Sequence, residues 1–298
     1  MQLTTLENSI KKSPCREYAD LPMEYYHDIR TGLSKSALCK LIRSPYHFYR
    51  TYLAPDAEPQ KSTAATMLGS AVHTLILEPQ KWDEEYHVAD VASRNAKAYK
   101  EAVVNHPEKT ILVREESEQA HRMADAVWSH KLARHYLELP GKSEQSFFWK
   151  DRITGVPVKA RPDRITDDSS IILDPKTCRS AQHDFFRADA DKLLYFLSAG
   201  MTLHGVHTVR RKRPEAYIFL CIENEKTKHP AVALYHATEE EIILGEHYYL
   251  KSLQIFQECM ESQFWPMYSP RCEALGLTRY RRKELEKLRK AGKLLYAE

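Results

Sequence analysis

Two carboxylates and a lysine are the residues of this sequence best placed to do chemistry. Arg161-Pro162-Asp163 is followed, after a turn-like stretch at 166–169, by Ile171-Ile172-Leu173-Asp174-Pro175-Lys176-Thr177. Side chains alternate along a strand, so Asp174 and Lys176 emerge on one face. A short hairpin connection brings Asp163 beside Asp174. Carboxylates held that close repel each other unless a cation sits between them. A hard divalent ion such as Mg²⁺, with Mn²⁺ as the alternative, suits the pair and is shared with phosphate oxygens and water. The Lys176 ammonium would orient or activate an attacking water and balance developing negative charge. Taken alone, Asp-x-Lys is common and more often marks a solvated strand face. Its setting adds weight: three apolar residues lead straight into it, which implies burial, and buried charges need partners or a metal.

The elements that must position these residues show as changes of period. Ser34 can cap a short helix over 35–42, Pro45 interrupts it, and 54–64 reads as a loop. Met67, Leu68, Ala71, Val72, Leu75 and Ile76 recur on one helix face, and Pro79 marks the stop. A long helix fits 115–138, ended by Pro140-Gly141. Short β-branched or aromatic runs at 146–149, 156–165 and 170–176 then form an antiparallel meander. Helical texture returns over 183–204, and strands fit 216–222 and 230–236. Thr238 and Glu241 form a capping box that opens a helix to about Met260. This order predicts an α/β fold with a mixed central sheet flanked by helices and a helical N-terminal part. One domain is expected over 25–268, after a flexible segment at 1–24. A basic tail follows at 269–298, helical in pattern.

Composition narrows the classes of function. The chain is 43% hydrophobic and 29% charged, which suits a folded globular protein rather than a disordered one. Its formal net charge is only +3, so any grip on nucleic acid must come from local clusters. No apolar run is long enough to cross a bilayer, and the opening MQLTTLENSIKKSPC has no signal-like apolar core. No membrane association is expected, and a cytoplasmic location is. The cysteines, at positions 15, 39, 178, 221, 259 and 272, never form a CxxC pair. They offer no zinc or iron–sulfur cluster, which leaves oxygen ligands for any metal.

Several motifs together resemble the nuclease domain of the RecE (exonuclease VIII) family. They are Glu144, Phe148-Trp149, Thr154-Gly155, Arg161-Pro162-Asp163 and Asp174-Pro175-Lys176-Thr177. Gly69-Ser70-Ala71-Val72-His73 with Leu77-Glu78-Pro79 is similar to the family's Gly-x-x-x-His helix. Leu41-Ile42-Arg43-Ser44-Pro45-Tyr46-His47 resembles its arginine-serine-proline segment. The likeness spans roughly residues 25–268 and is far more specific than any one motif. It implies a restriction-endonuclease-like PD-(D/E)xK core, related to the nucleases of RecB and lambda exonuclease. By matching position, His73, Asp163 and Asp174 would bind the metal, with the Pro175 carbonyl as a further ligand. Lys176 would assist the water, and Glu144 matches an acidic position of the family. Taken alone, His73 reads as a core histidine bonded to a neighbour.

The resemblance further implies a Mg²⁺-dependent exonuclease acting on double-stranded DNA ends, 5′ to 3′. It also implies a homo-oligomeric ring and a partner that anneals single strands, in recombination of the phage and prophage type. Arg161, Tyr195 and the run Arg210, Arg211, Lys212 and Arg213 are candidate DNA contacts, since cations grip phosphates without reading sequence. The basic tail carries the same expectation, although most terminal charge runs are merely solvated. Two features depart from the pattern. Ser198 and Thr202 stand where RecB-like nucleases carry Gln-x-x-x-Tyr, and Pro175 removes an N–H from a strand expected to be central. The alternative is therefore a catalytically decayed nuclease fold that binds DNA or protein.

Overall fold

A five-stranded sheet in the order β10-β9-β8-β7-β4 carries the motif residues at its middle. Its strands are β4 (Gly141–Ser143), β7 (Arg164–Thr166), β8 (Ile171–Cys178), β9 (Ala216–Glu223) and β10 (Val232–His236). β8 and β9 run parallel, and every other neighbouring pair in this sheet is antiparallel. The computed structural model describes residues 15–19, 21, 23–28, 31–57, 63–269 and 271–295. Most of the segment expected to be flexible, 1–24, lies outside the described residues.

Alternation in β8 and β9 divides the core between the two faces of the sheet. Ile172, Tyr217, Phe219 and Cys221 belong to one cluster, with α2 (Lys35–Arg43), α10 (Tyr195–Arg210) and α11 (Glu239–Ser262). Leu173, Ile218, Leu220 and Ile222 belong to the other, with α4 (Ala64–Leu77), α7 (Arg114–Ser129) and α8 (Lys131–Glu138). Burial on both faces explains why these strands read as unbroken apolar runs. The crossover between the parallel strands is α9 (His183–Lys192) and α10, joined at Leu194, whose φ of 56° turns the chain.

A second sheet, β1-β5-β6, packs against α10 and is built from β1 (Arg16–Tyr18), β5 (Ser146–Lys150) and β6 (Pro157–Ala160). Lys159 of β6 is fully buried. Its ammonium donates to the Asp28 carbonyl and the Thr31 hydroxyl, tying α1 (Met23–His27) and its flank to this sheet. Burial lowers that ammonium to about 7.

The structure differs from the periodicity reading in four places. Pro45 starts a helix rather than interrupting one, because Ser44 caps α3 (Pro45–Tyr52) and proline is tolerated at the first helical position. The helix expected over 115–138 breaks at His130, whose ring nitrogen caps α8 through Ala133 N. The run 156–165 is not one strand. It bends at Arg161-Pro162-Asp163, leaving β6 and β7 in different sheets. Residues 82–113, given no structure by the pattern, form α5 (Trp82–Glu85), β2 (Tyr86–Ala89), α6 (Lys97–Asn105) and β3 (Thr110–Val113), with β2 and β3 parallel.

α10 and α11 cross at glycine on glycine. A Cβ on Gly200 would stand 2.5 Å from Glu246 N, and one on Gly245 would stand 2.0 Å from the Phe196 oxygen. Behind this crossing, buried Trp149 Nε1 donates to Tyr249 OH at 3.0 Å, and Tyr249 OH donates to Asp151 Oδ2 at 3.0 Å. Tyr249→Phe strands both partners inside the core. It should lower unfolding free energy by about 1–3 kcal/mol in urea denaturation; an unchanged midpoint would mean that water reaches these groups.

The chain divides into two compact units, one ending at Trp265 and one beginning at Pro266. The second holds α12 (Arg279–Lys290), capped by Thr278 and without a buried residue. The last three residues of the expected tail helix, 296–298, lie outside the described residues. Among the described residues, no helix is long and apolar enough to cross a membrane.

Candidate active site

Register sets the first pair. β7 and β8 pair with Arg164 opposite Leu173 and Ile165 opposite Ile172. Extending that register by one residue sets Asp163 opposite Asp174, and opposed residues share a face. β7 ends there, so Asp174, Pro175 and Lys176 pair only with β9, against Phe219, Leu220 and Cys221. A proline here therefore costs the sheet one ladder bond at most, which removes the objection to it. α4 crosses beside β8, with Gly69 next to the Thr177 hydroxyl.

The side chains converge. Lys176 Nζ donates to Asp174 Oδ1, lies 3.7 Å from Asp163 Oδ2 and approaches the Pro175 carbonyl at 3.3 Å. His73 Nδ1 lies 3.8 Å from the same Asp163 oxygen. The other Asp174 oxygen, Oδ2, accepts from the Tyr217 hydroxyl at 2.8 Å. Glu144 arrives from a backbone in the left-handed region (φ 51°), and its N–H donates to the Asp163 carbonyl at 3.1 Å. His73, Glu144 and Asp163 offer ligand atoms all within 4.8 Å of one another.

Burial and charge drive the two aspartates apart. Burial pushes the Asp163 carboxyl well above the usual range; the Lys176 charge opposes this and the Asp174 charge adds to it. Burial also raises Asp174, but the Lys176 charge and the bonds to its oxygens outweigh it and hold the group at about 2. Burial presses on the Lys176 ammonium too, yet Asp174 and Asp163 keep it above its ordinary value, so it stays a cation. Burial, then the Lys176 charge, lowers His73 to about 4, which leaves a neutral imidazole with a free lone pair. Burial lifts Glu144 to about 7.

Asp163 Oδ2 is buried and has no hydrogen-bond partner. An orphaned carboxylate oxygen, a neutral imidazole and a second carboxylate opposite form a donor set that fits a divalent cation. The site opens into a cavity of about 620 Å³ whose wall includes Tyr26, His73, Glu78, Glu144, Arg161 and Asp163.

The structure thus brings together His73, Glu144, Asp163, Asp174, Pro175 and Lys176. Tyr195 joins them, its ring centroid 5.6 Å from Lys176 Nζ. Arg161 lines the cavity, but its guanidinium is engaged within the chain. It donates to Ser146 Oγ and the Leu21 carbonyl, both at 2.7 Å, and stacks 4.4 Å over Tyr26. The basic run is not at the site. Arg210 closes α10 roughly 22 Å along the helix from Tyr195, at 1.5 Å per residue. Arg210 pairs with Glu17 at 2.6 Å, Lys212 donates to the Asp168 carbonyl, and Arg213 pairs with Glu246 at 2.9 Å. Arg211 is exposed there with a left-handed φ of 60°.

Two residues at the site escaped the sequence reading. Lys35, the first residue of α2, stands 5.1 Å from the Tyr195 ring centroid and donates to the Leu193 carbonyl at 3.4 Å. Tyr217 was hidden in the apolar run Ala216–Glu223. A tyrosine there is a signal in itself, since a buried phenol needs a partner for its hydroxyl.

Known proteins offer a family and a fold to set beside this arrangement. The model of a family described as "PDDEXK-like domain of unknown function (DUF3799)" matches residues 34–278. A crystal structure of a "Putative exonuclease" from Eubacterium rectale superposes with a TM-score of 0.62 at 12% identity, covering 89% of this chain and 98% of that one. A second, the crystal structure of SSO0001, gives a TM-score of 0.28 at 12% identity over 77% and 86% of the two chains, too poor a fit to bear on the fold. No curated protein matches the chain.

Proposed function

This chain belongs to the PDDEXK-like domain family, and from that premise we propose that it is a metal-dependent nuclease hydrolysing phosphodiester bonds of double-stranded DNA. The observation that carries the reading is the convergence of His73, Asp163, Asp174 and Lys176 around a buried carboxylate oxygen that accepts no hydrogen bond. Asp163, Asp174 and His73 would hold the ion, with the Pro175 carbonyl beside them. Mg²⁺, or Mn²⁺ in its place, would there supply Lewis-acid polarisation of the phosphate and acidify an attacking water. The chain does the rest. Lys176 remains protonated, so it serves as a fixed positive charge toward the reacting phosphate rather than as a base. Glu144, with a carboxyl near neutrality, can hold or release a proton at the cavity side. Tyr195 and Lys35 flank Lys176 and suit a ring contact and a phosphate contact with the incoming strand.

The fold shared with the Eubacterium rectale protein supports the exonuclease form of this reading. Resemblance to the RecE family supports the finer proposals: 5′-to-3′ degradation from duplex ends, a ring-shaped homo-oligomer and a strand-annealing partner. The experiment is digestion of end-labelled linear duplex with Mg²⁺ or EDTA, with closed circular DNA alongside. Loss of the linear DNA alone, only with Mg²⁺, is expected. Cutting of the circle would make it an endonuclease. DNA binding without any Mg²⁺-dependent cutting would leave the decayed-fold reading, which the serine and threonine at positions 198 and 202 favour.

A further inference from the structure

We propose that Tyr217 is the positioning residue of this site: with Ser198 behind it, its hydroxyl fixes the Asp174 carboxylate in the orientation that binds the metal. The inference rests on the metal-dependent reading above and adds residues to it.

Both oxygens of Asp174 are spoken for. Oδ1 takes the Lys176 ammonium, and Oδ2 takes the Tyr217 hydroxyl at 2.8 Å. Tyr217 lies beside Ile172 in the parallel register, and Phe219 lies beside Asp174. Tyr217 therefore shares the Asp174 face and reaches it along the diagonal between neighbouring strands. Its ring is held by burial, at 2% exposure, and by Phe219 with centroids 5.1 Å apart.

The Tyr217 proton is committed to Asp174, so its oxygen is left as an acceptor. Ser198 Oγ lies 3.2 Å from it and is the donor. Hydroxyls in series polarise each other, which strengthens the terminal bond to the carboxylate. The contrast with Asp163 is informative: its Oδ2 accepts no hydrogen bond and meets Lys176 and His73 only at 3.7 and 3.8 Å. Asp174 is held by a hydrogen bond at each oxygen, whereas Asp163 keeps one oxygen without a hydrogen bond, available to a cation. Lysine alone is a poor clamp, because an ammonium on a long flexible stem does not fix the rotation of a carboxylate. The departure at position 198 gains a physical reading as well: a short hydroxyl on α10 leaves the space that the Tyr217 hydroxyl fills.

Tyr217→Phe keeps the ring and deletes only the donor. The measurement is Mn²⁺ binding to the full chain, by the electron paramagnetic resonance signal of free ion, with thermal unfolding in EDTA recorded in parallel. Removing a group that orients a metal ligand should weaken Mn²⁺ binding about 10- to 100-fold at a temperature where both proteins remain folded. A purely structural role would lower the unfolding temperature and leave the affinity of the folded protein unchanged, and that result overturns the proposal. Should Tyr217→Phe fail to fold, Ser198→Ala retains both ring and hydroxyl and should weaken Mn²⁺ binding in the same direction by a smaller factor. Unchanged affinity in that variant is equally fatal. Wild type that binds Mn²⁺ with this dependence yet cuts no DNA supports the positioning role and removes the nuclease reading; wild type that binds no Mn²⁺ ends both.

Discussion

Lys176→Ala is expected to leave binding of linear duplex DNA nearly intact while slowing single-turnover cleavage by roughly 10²-fold or more, the scale of a lost electrostatic contact to the transition state. The reason lies in the charge state of the group. Asp174 and Asp163 keep the ammonium protonated against its burial, so the variant removes a fixed charge from beside the reacting centre. Asp174→Ala should abolish Mg²⁺-dependent cleavage, because it deletes a site carboxylate held at both oxygens and also leaves Lys176 without its closest partner. Breaking a buried ion pair is costly, about 3–5 kcal/mol when one charge is stranded. Circular dichroism of both variants must therefore accompany the kinetics, and DNA binding in Ca²⁺ provides the reference. Lys176→Ala that folds, binds and cuts like wild type would remove Lys176 from the mechanism.

Gly245→Ala is expected to be the most damaging single methyl group in the chain. Its Cβ would lie 2.0 Å from the Phe196 carbonyl oxygen and 2.8 Å from the carbonyl carbon, both backbone atoms of a facing helix. A side chain could rotate away, but a helix backbone cannot. Overpacking of this kind normally costs about 1–3 kcal/mol, and here the clash lies at the high end of that mechanism or beyond it. A loss of roughly 4 kcal/mol or more, or failure to accumulate as folded protein, is the expected outcome in urea denaturation. Gly69→Ala is the contrast. Its Cβ would meet the Thr177 hydroxyl at an ordinary 3.5 Å, and alanine gains about 1 kcal/mol of helix propensity over glycine. If both variants unfold at wild-type urea concentrations, the α10–α11 crossing is looser than its geometry requires.

Much of the site could be read from the sequence because strands obey a period of two. Alternation put Asp174 and Lys176 on one face, and one further step of the β7–β8 register sets Asp163 opposite Asp174. The helix carrying His73 was legible from its apolar face. Whether that helix reached the candidate site was not, since only tertiary packing sets α4 beside β8. Lys35 and Tyr217 escaped for the same reason: each is ordinary in its own element and gains its place through a neighbour distant in sequence. The break at Arg161-Pro162-Asp163 was missed because an apolar run gives no sign of which sheet each half will join. Arg210 and its neighbours show the converse. Charge density marked them, but their partners Glu17, Asp168 and Glu246 lie elsewhere in the chain.

The parallel pairing of β8 with β9 also governs when the candidate site can exist during folding. Neither strand gains the other until residues 179–215 have been gathered into α9 and α10 between them. His73 joins from about a hundred positions upstream of Asp174. Closing such loops costs entropy that grows only slowly with length, but pairing across long separations slows folding. Until it is done, Ile171-Ile172-Leu173 presents an apolar strand edge, the kind of surface that draws other chains. The carboxylates meanwhile have neither the Tyr217 hydroxyl nor the His73 ring. On this account a chain caught partway would have no ordered candidate site, and any chemistry proposed for that site would have to wait for the last tertiary contacts.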